Sequence, residues 1–110
     1  MQEGSFEDFE SLEWHEDAPG RSEAILHKDA GSKTYTRLVK ITPGYKAADK
    51  PFAHDDFDEI VYIIKGRMRN PKTGELYEQG AHAYFKVGQE HGPFDSPDGC
   101  INIEFRHYKR

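Results

Sequence analysis

At 110 residues, with 32% charged and 35% hydrophobic, the chain has room for one domain with a lean core under a well-solvated surface. No apolar run approaches the roughly 18 residues of a membrane span, and a single cysteine, Cys100, excludes an internal disulfide and any zinc-finger spacing. The net charge of −5 is uneven: residues 1–17 hold seven of the 20 acids and no Lys or Arg, and the near-neutral remainder has no basic stripe, which argues against nucleic acid as a partner.

The first 22 residues read as an acidic arm, with Phe6, Phe9, Leu12 and Trp14 as apolar anchors for packing on the body or on a second subunit. The arm lacks the basic and apolar regions of a secretory signal, so a cytoplasmic, reducing location is expected, with no membrane partner. The body, 23–110, is a series of strands and turns. Residues 24–29 and 33–42 are rich in β-branched and aromatic side chains, and the turn "AGSK" joins them. A breaker-rich loop, "PGYKAADKP", leads towards the strong strand "EIVYIIKGRMR". "NPKTG" is a hairpin turn before "ELYEQG", and "AHAYFKV" is a further strand. After a loop over 88–99 the chain closes on "CINIEFRHY", where Ile101, Ile103 and Phe105 alternate with Asn102, Glu104 and Arg106 as in a half-buried strand. No long amphipathic helix is predicted. Short strands at this spacing imply an all-β antiparallel sandwich or barrel.

Chemistry concentrates ahead of the strong strand, where His54, Asp55, Asp56, Asp58 and Glu59 crowd into six residues. Alone, this is a solvated acidic turn. His91, after a glycine-bracketed strand, changes the reading. A divalent transition metal takes imidazole nitrogens and carboxylate oxygens from segments that meet in space, with positions left for water or substrate. His54 and Asp56 share strand parity and Glu59 does not, so a bulge would be needed to aim all three inward. His82 and His107 read as hydrogen-bonding residues of the sheet, His15 and His27 as surface residues, and Cys100 as a small buried hydrophobe. Tyr62 and Tyr84 read as packing residues, with acid–base work in a pocket as the other option.

Two motifs carry a resemblance. Glu59, six residues and Gly66 match the end of G-x5-H-x-H-x3-4-E-x6-G, and Gly80, Lys86, Gly88 and His91 keep the spacing of G-x5-P-x-G-x2-H-x3-N. From about Thr34 to His107 the chain resembles a small single-domain cupin, in which Lys86 replaces the usual proline and Asp95 the asparagine. The resemblance implies a jelly-roll barrel (a double-stranded β-helix) holding a divalent metal, Fe(II), Mn, Ni or Zn. Two placements of the first motif are open. With His54 as its first histidine, Asp56 takes the second place, and the ligands are His54, Asp56, Glu59 and His91. With Phe52 in the first place, the spacing from His54 to Glu59 fits the longer motif, and the ligands are His54, Glu59 and His91. The function implied is a metal-dependent enzyme of dioxygenase, isomerase or lyase type acting on a small organic molecule inside the barrel. The other reading is a non-enzymatic ligand-binding or sensory cupin, with or without metal. A homodimer is expected on size, since so small a barrel gains from burying an outer face.

Overall fold

The structure is a computed structural model, and it describes residues 3–108. Eight strands follow one another: β1 (His15–Ala18), β2 (Arg21–Lys28), β3 (Tyr35–Ile41), β4 (Phe57–Gly66), β5 (Met68–Arg69), β6 (Leu76–Tyr77), β7 (His82–Phe85) and β8 (Cys100–Tyr108). Six form one antiparallel sheet in the order β1-β2-β3-β8-β4-β7, and β5 pairs with β6. Isolated bridges Phe52–His91 and Arg69–Asp95 tie the long loops to this frame. Among the described residues the helical content is a single 3-10 turn, Phe9–Ser11, and no helix is long and apolar enough to cross a membrane.

The predicted turns form for local reasons. In the β5–β6 hairpin the Asn70 Oδ1 accepts from the backbone N–H groups of Lys72 and Thr73, and the Asn70 carbonyl accepts from Gly74 N–H at 2.8 Å. Residues 1–22, read as an arm, include the edge strand β1 and the first two residues of β2, whose partner register begins at Arg21–Ile41. Trp14 lies half-buried, with the Lys40 ammonium 4.3 Å from its ring centre.

Parity decides what the barrel holds. In β4 the odd residues Phe57, Glu59, Val61 and Ile63 are buried, while Ile60, Tyr62 and Ile64 are exposed. The registers then align inward rows across three strands: Tyr35–Arg106–Glu59, Arg37–Glu104–Val61, Val39–Asn102–Ile63 and Ile41–Cys100–Gly66. The first two rows are charged. The last two meet Met68 in the core cluster of Val39, Ile41, Ile63 and Cys100, flanked by Tyr45, Tyr77, Ala81 and Phe94. The alternation expected in β8 is therefore present, with the polar set facing inward. Asn102 and Glu104 are buried while Phe105 is 43% exposed. Each inward acid of β8 or β4 finds a guanidinium in its own row or the adjacent one, which removes the penalty of burying it alone.

Candidate metal-binding site

Three segments bring His54, Glu59 and His91 together. Glu59 projects inward from β4 by parity. His54 lies in the loop before β4 and is set by the chain on either side of it. Phe52 and His91 exchange backbone hydrogen bonds of 2.9 and 2.8 Å, and the Gly88 N–H donates to the His54 carbonyl at 2.7 Å. The 52–54 and 88–91 segments are thus zipped into a short antiparallel pair that faces both imidazoles to one point. The bend at Asp55–Asp56 separates His54 from the strand period, so the parity conflict in the sequence is resolved without a bulge at this place.

The Glu59 Oε1 stands 3.8 Å from His54 Nε2 and 3.6 Å from His91 Nε2, and one donor atom from each residue lies within 4.8 Å of the others. These contacts are too long for hydrogen bonds, and they are not ion pairs. Burial, with Arg106 next, pushes the His54 imidazolium down to about 4, and burial also lowers His91, so both rings are neutral at pH 7. Burial and the neighbouring Glu104 push the Glu59 carboxyl up to about 7. Both Nε2 atoms are buried without a hydrogen-bond partner among the described residues, a costly state for a ring nitrogen. Donors about 2.1 Å from one ion stand roughly 3.0–3.4 Å apart, so the two Glu59–imidazole distances need shorten by only a few tenths of an ångström, while the two imidazoles would close in from within 4.8 Å. Two neutral imidazoles and one carboxylate, aimed together and otherwise unpartnered, fit a divalent transition metal.

The surroundings fix the ring orientations. The His91 Nδ1 meets the Gln89 carbonyl at 3.3 Å, which places its proton there and leaves Nε2 free to ligate. Phe85 stacks on His91 at 4.1 Å, Phe57 stacks on His54 at 4.1 Å, and Phe52 stands edge-on to His91 at 4.4 Å. Asp56 is exposed on the bend and outside the cluster. That arrangement accords with the motif placement in which Phe52 takes the first histidine position.

Neither a protein-family model nor a curated protein sequence matches the chain. Solved structures do. KdgF from Halomonas sp. is 19% identical and superposes with a TM-score of 0.77, covering 97% of this chain and 96% of that one. An RmlC-like cupin from Shewanella frigidimarina NCIMB 400 gives 0.72 at 18% identity, covering 96% and 91%. The chain has the cupin fold. The Fe(II) form of HppE, 12% identical, superposes with a TM-score of 0.69 over 97% of this chain and 62% of its own.

Within the cupin barrel the three residues border a cavity of about 400 Å³, which Arg37, Glu104 and Arg106 also line. These charged residues were absent from the expected site, and they form an alternating chain. Arg37 donates from Nε to Glu104 at 2.8 Å and from Nη1 to Glu23 at 2.7 Å. Arg106 donates from Nε to the Glu59 Oε2 at 2.7 Å and from Nη1 to the Tyr35 hydroxyl at 3.1 Å, and its guanidinium lies 4.5 Å from the Phe57 ring centre. Burial works against the charge on Arg37, but Glu104 and Glu23 more than offset it, so the group stays cationic. One Glu59 oxygen is therefore held by Arg106 while the other faces the imidazoles. The signal in the sequence was Glu104 and Arg106 at alternate places of "EFR", with Arg37 on the inward parity of "RLVK", legible only once that parity is known.

The other candidates fall outside the cavity. Tyr62 and Tyr84 are 42% and 57% exposed on the outer face, where His82 stacks on Tyr62. The Asp58 Oδ1 accepts from the Val87 N–H at 2.9 Å, a tether between β4 and the turn after β7. His15, His27 and His107 are exposed, and Cys100 is buried.

Proposed function

We propose that this cupin binds a divalent transition metal through His54, Glu59 and His91 and acts as a metal-dependent enzyme on a small organic molecule in the barrel. The carrying observation is the pair of buried, unpartnered Nε2 atoms converging on one Glu59 oxygen. Two histidines with one carboxylate suit Fe(II) foremost, with Mn, Ni and Zn as the other candidates. Such an ion supplies Lewis-acid polarisation of a substrate oxygen or, as iron, dioxygen chemistry. The protein's own residues prepare the place: Arg106 orients Glu59, the Gln89 carbonyl fixes the His91 tautomer, and Phe52, Phe57 and Phe85 pack against the imidazole rings. Metal analysis of protein purified without chelator, with His91→Ala beside it, tests the site. One equivalent in the wild type and loss in the variant are expected, and sub-stoichiometric wild-type metal or an unchanged variant sinks the reading. Tight ligand binding with no turnover under aerobic Fe(II) would move the protein to the sensory class.

We also infer a homodimer through the outer face of β8, β4 and β7. Ile60, Tyr62, Tyr84 and Phe105 lie exposed there, with Ile60 paired to both Tyr84 and Phe105. The chain exposes 7407 Å², against roughly 6,200 Å² expected for a compact monomer of this mass, and the excess is of the order of one side of a standard interface. Sedimentation at micromolar concentration checks this. A dimer that Phe105→Glu dissociates is expected, and a monomeric wild type refutes it.

A further inference from the structure

Behind the His91 ring lies a second cavity of about 540 Å³, between β4, β7, the β5–β6 hairpin and the 90–94 loop. It borders the first cavity, sharing Val61, Met68, His91 and Phe94 as a common wall. The two differ in chemistry. The first is lined by three arginines and two glutamates, whereas the second, among the described residues, has no Arg or Lys and one acid, Glu90, beside Asn70 and His82, and its floor is Ile63, Tyr77, Ala81, Ala83 and Phe85. The partition is light. Met68, the most adaptable of apolar side chains, is held by a 3.4 Å contact from Asn102 Nδ2 to its sulfur, and Phe94 stands 6.4 Å from the His91 ring.

We propose that the ligand of this cupin is amphiphilic. Its oxyanion head sits at the His54–Glu59–His91 group among the arginines, and its aliphatic or aromatic body extends past Met68 and Phe94 into the second chamber. The position of the head rests on the reading of the metal site, and the body rests on the chamber alone. A heavily hydroxylated acid, such as a sugar acid, would set most of its hydroxyls against the apolar floor, with only Asn70, Tyr77, His82, Glu90 and His91 as polar neighbours. Each methylene buried there strengthens binding about fourfold.

The test uses the Zn(II)-loaded protein and straight-chain monocarboxylates from acetate to octanoate, with glucuronate as a hydroxylated acid of the same carbon number as hexanoate. Calorimetry should show affinity rising about threefold to fourfold per methylene until the chamber fills, and hexanoate binding at least tenfold more tightly than glucuronate. Ala83→Leu and Ala81→Leu, which fill the chamber floor, should each cut the gain from chain length tenfold or more while leaving acetate binding and the melting temperature close to wild type. A flat series, glucuronate binding more tightly than hexanoate, no binding by any acid, or an undiminished length dependence in folded variants overturns the proposal. The wild-type series decides even if one variant fails to fold. The two readings fail separately. Stoichiometric zinc with a flat series removes the chamber and keeps the metal, whereas length dependence without zinc uptake removes the metal and keeps the chamber.

Discussion

Gly66 offers a sharp test of how β4 and β8 meet. It closes β4 opposite Cys100, with φ +80°, a conformation that L side chains rarely adopt. A Cβ there would overlap the Gly99 carbonyl oxygen and stand 2.9 Å from Cys100 Cα and 3.0 Å from the Gly99 carbonyl carbon, all backbone atoms that cannot swing aside. The control is Gly74, also at φ +80° but with nothing within 4 Å of its would-be Cβ. Gly74→Ala should cost only the backbone strain, about 1–2 kcal/mol. Gly66→Ala adds the separation of the strand ends, which loosens Cys100 and Met68 in the core cluster, at a further ~1–3 kcal/mol typical of overpacking. The sum of about 2–5 kcal/mol should lower the melting temperature by roughly 10–30 °C in a domain of this size. Urea unfolding with an unchanged slope measures the difference directly. If Gly66→Ala lies within about 0.5 kcal/mol of Gly74→Ala, well under the expected packing cost, the close approach of these strands is refuted.

Two further outcomes follow from the site and the core. Arg106→Met leaves the Glu59 Oε2 without its 2.7 Å partner, so metal affinity should fall about 10–100-fold, with Arg106→Lys recovering part of it and the spectrum of the Co(II) form shifting. Unchanged affinity in Arg106→Met would show that Glu59 needs no orienting partner. The Cys100 thiol, 4% exposed and pushed up to about 11 by burial, should resist an aromatic disulfide reagent at pH 8 until the protein unfolds. Prompt labelling of the native protein would contradict that burial.

The strands were legible because their signals are local: β-branched runs for β3 and β4, and Asn70 with Gly74 for the hairpin. The pairing of His54, Glu59 and His91 was legible through motif spacing. What the sequence could not decide was which face of β8 turns inward. An alternation of Ile with Asn, Glu and Arg is symmetric under a half-turn of the strand, and the hydrophobic rule favours the isoleucines. The structure resolves it the other way, because the acids and bases of β3, β4 and β8 satisfy one another across a cavity. Arg37, Glu104 and Arg106 become one charged group only through the register of β3, β8 and β4. Parity also misled at His54, since it governs strands and His54 stands in the loop before one.

The succession of inward rows, charged towards one end and apolar towards the other, divides labour along the barrel. Val39, Ile63, Ile41 and Cys100 form the apolar layer, while the buried charges occupy the rows of Tyr35, Arg106 and Glu59 and of Arg37 and Glu104. Charges in the upper rows can be exchanged as pairs without touching the apolar layer beneath them. Such separation lets a small domain change its chemistry with little loss of stability.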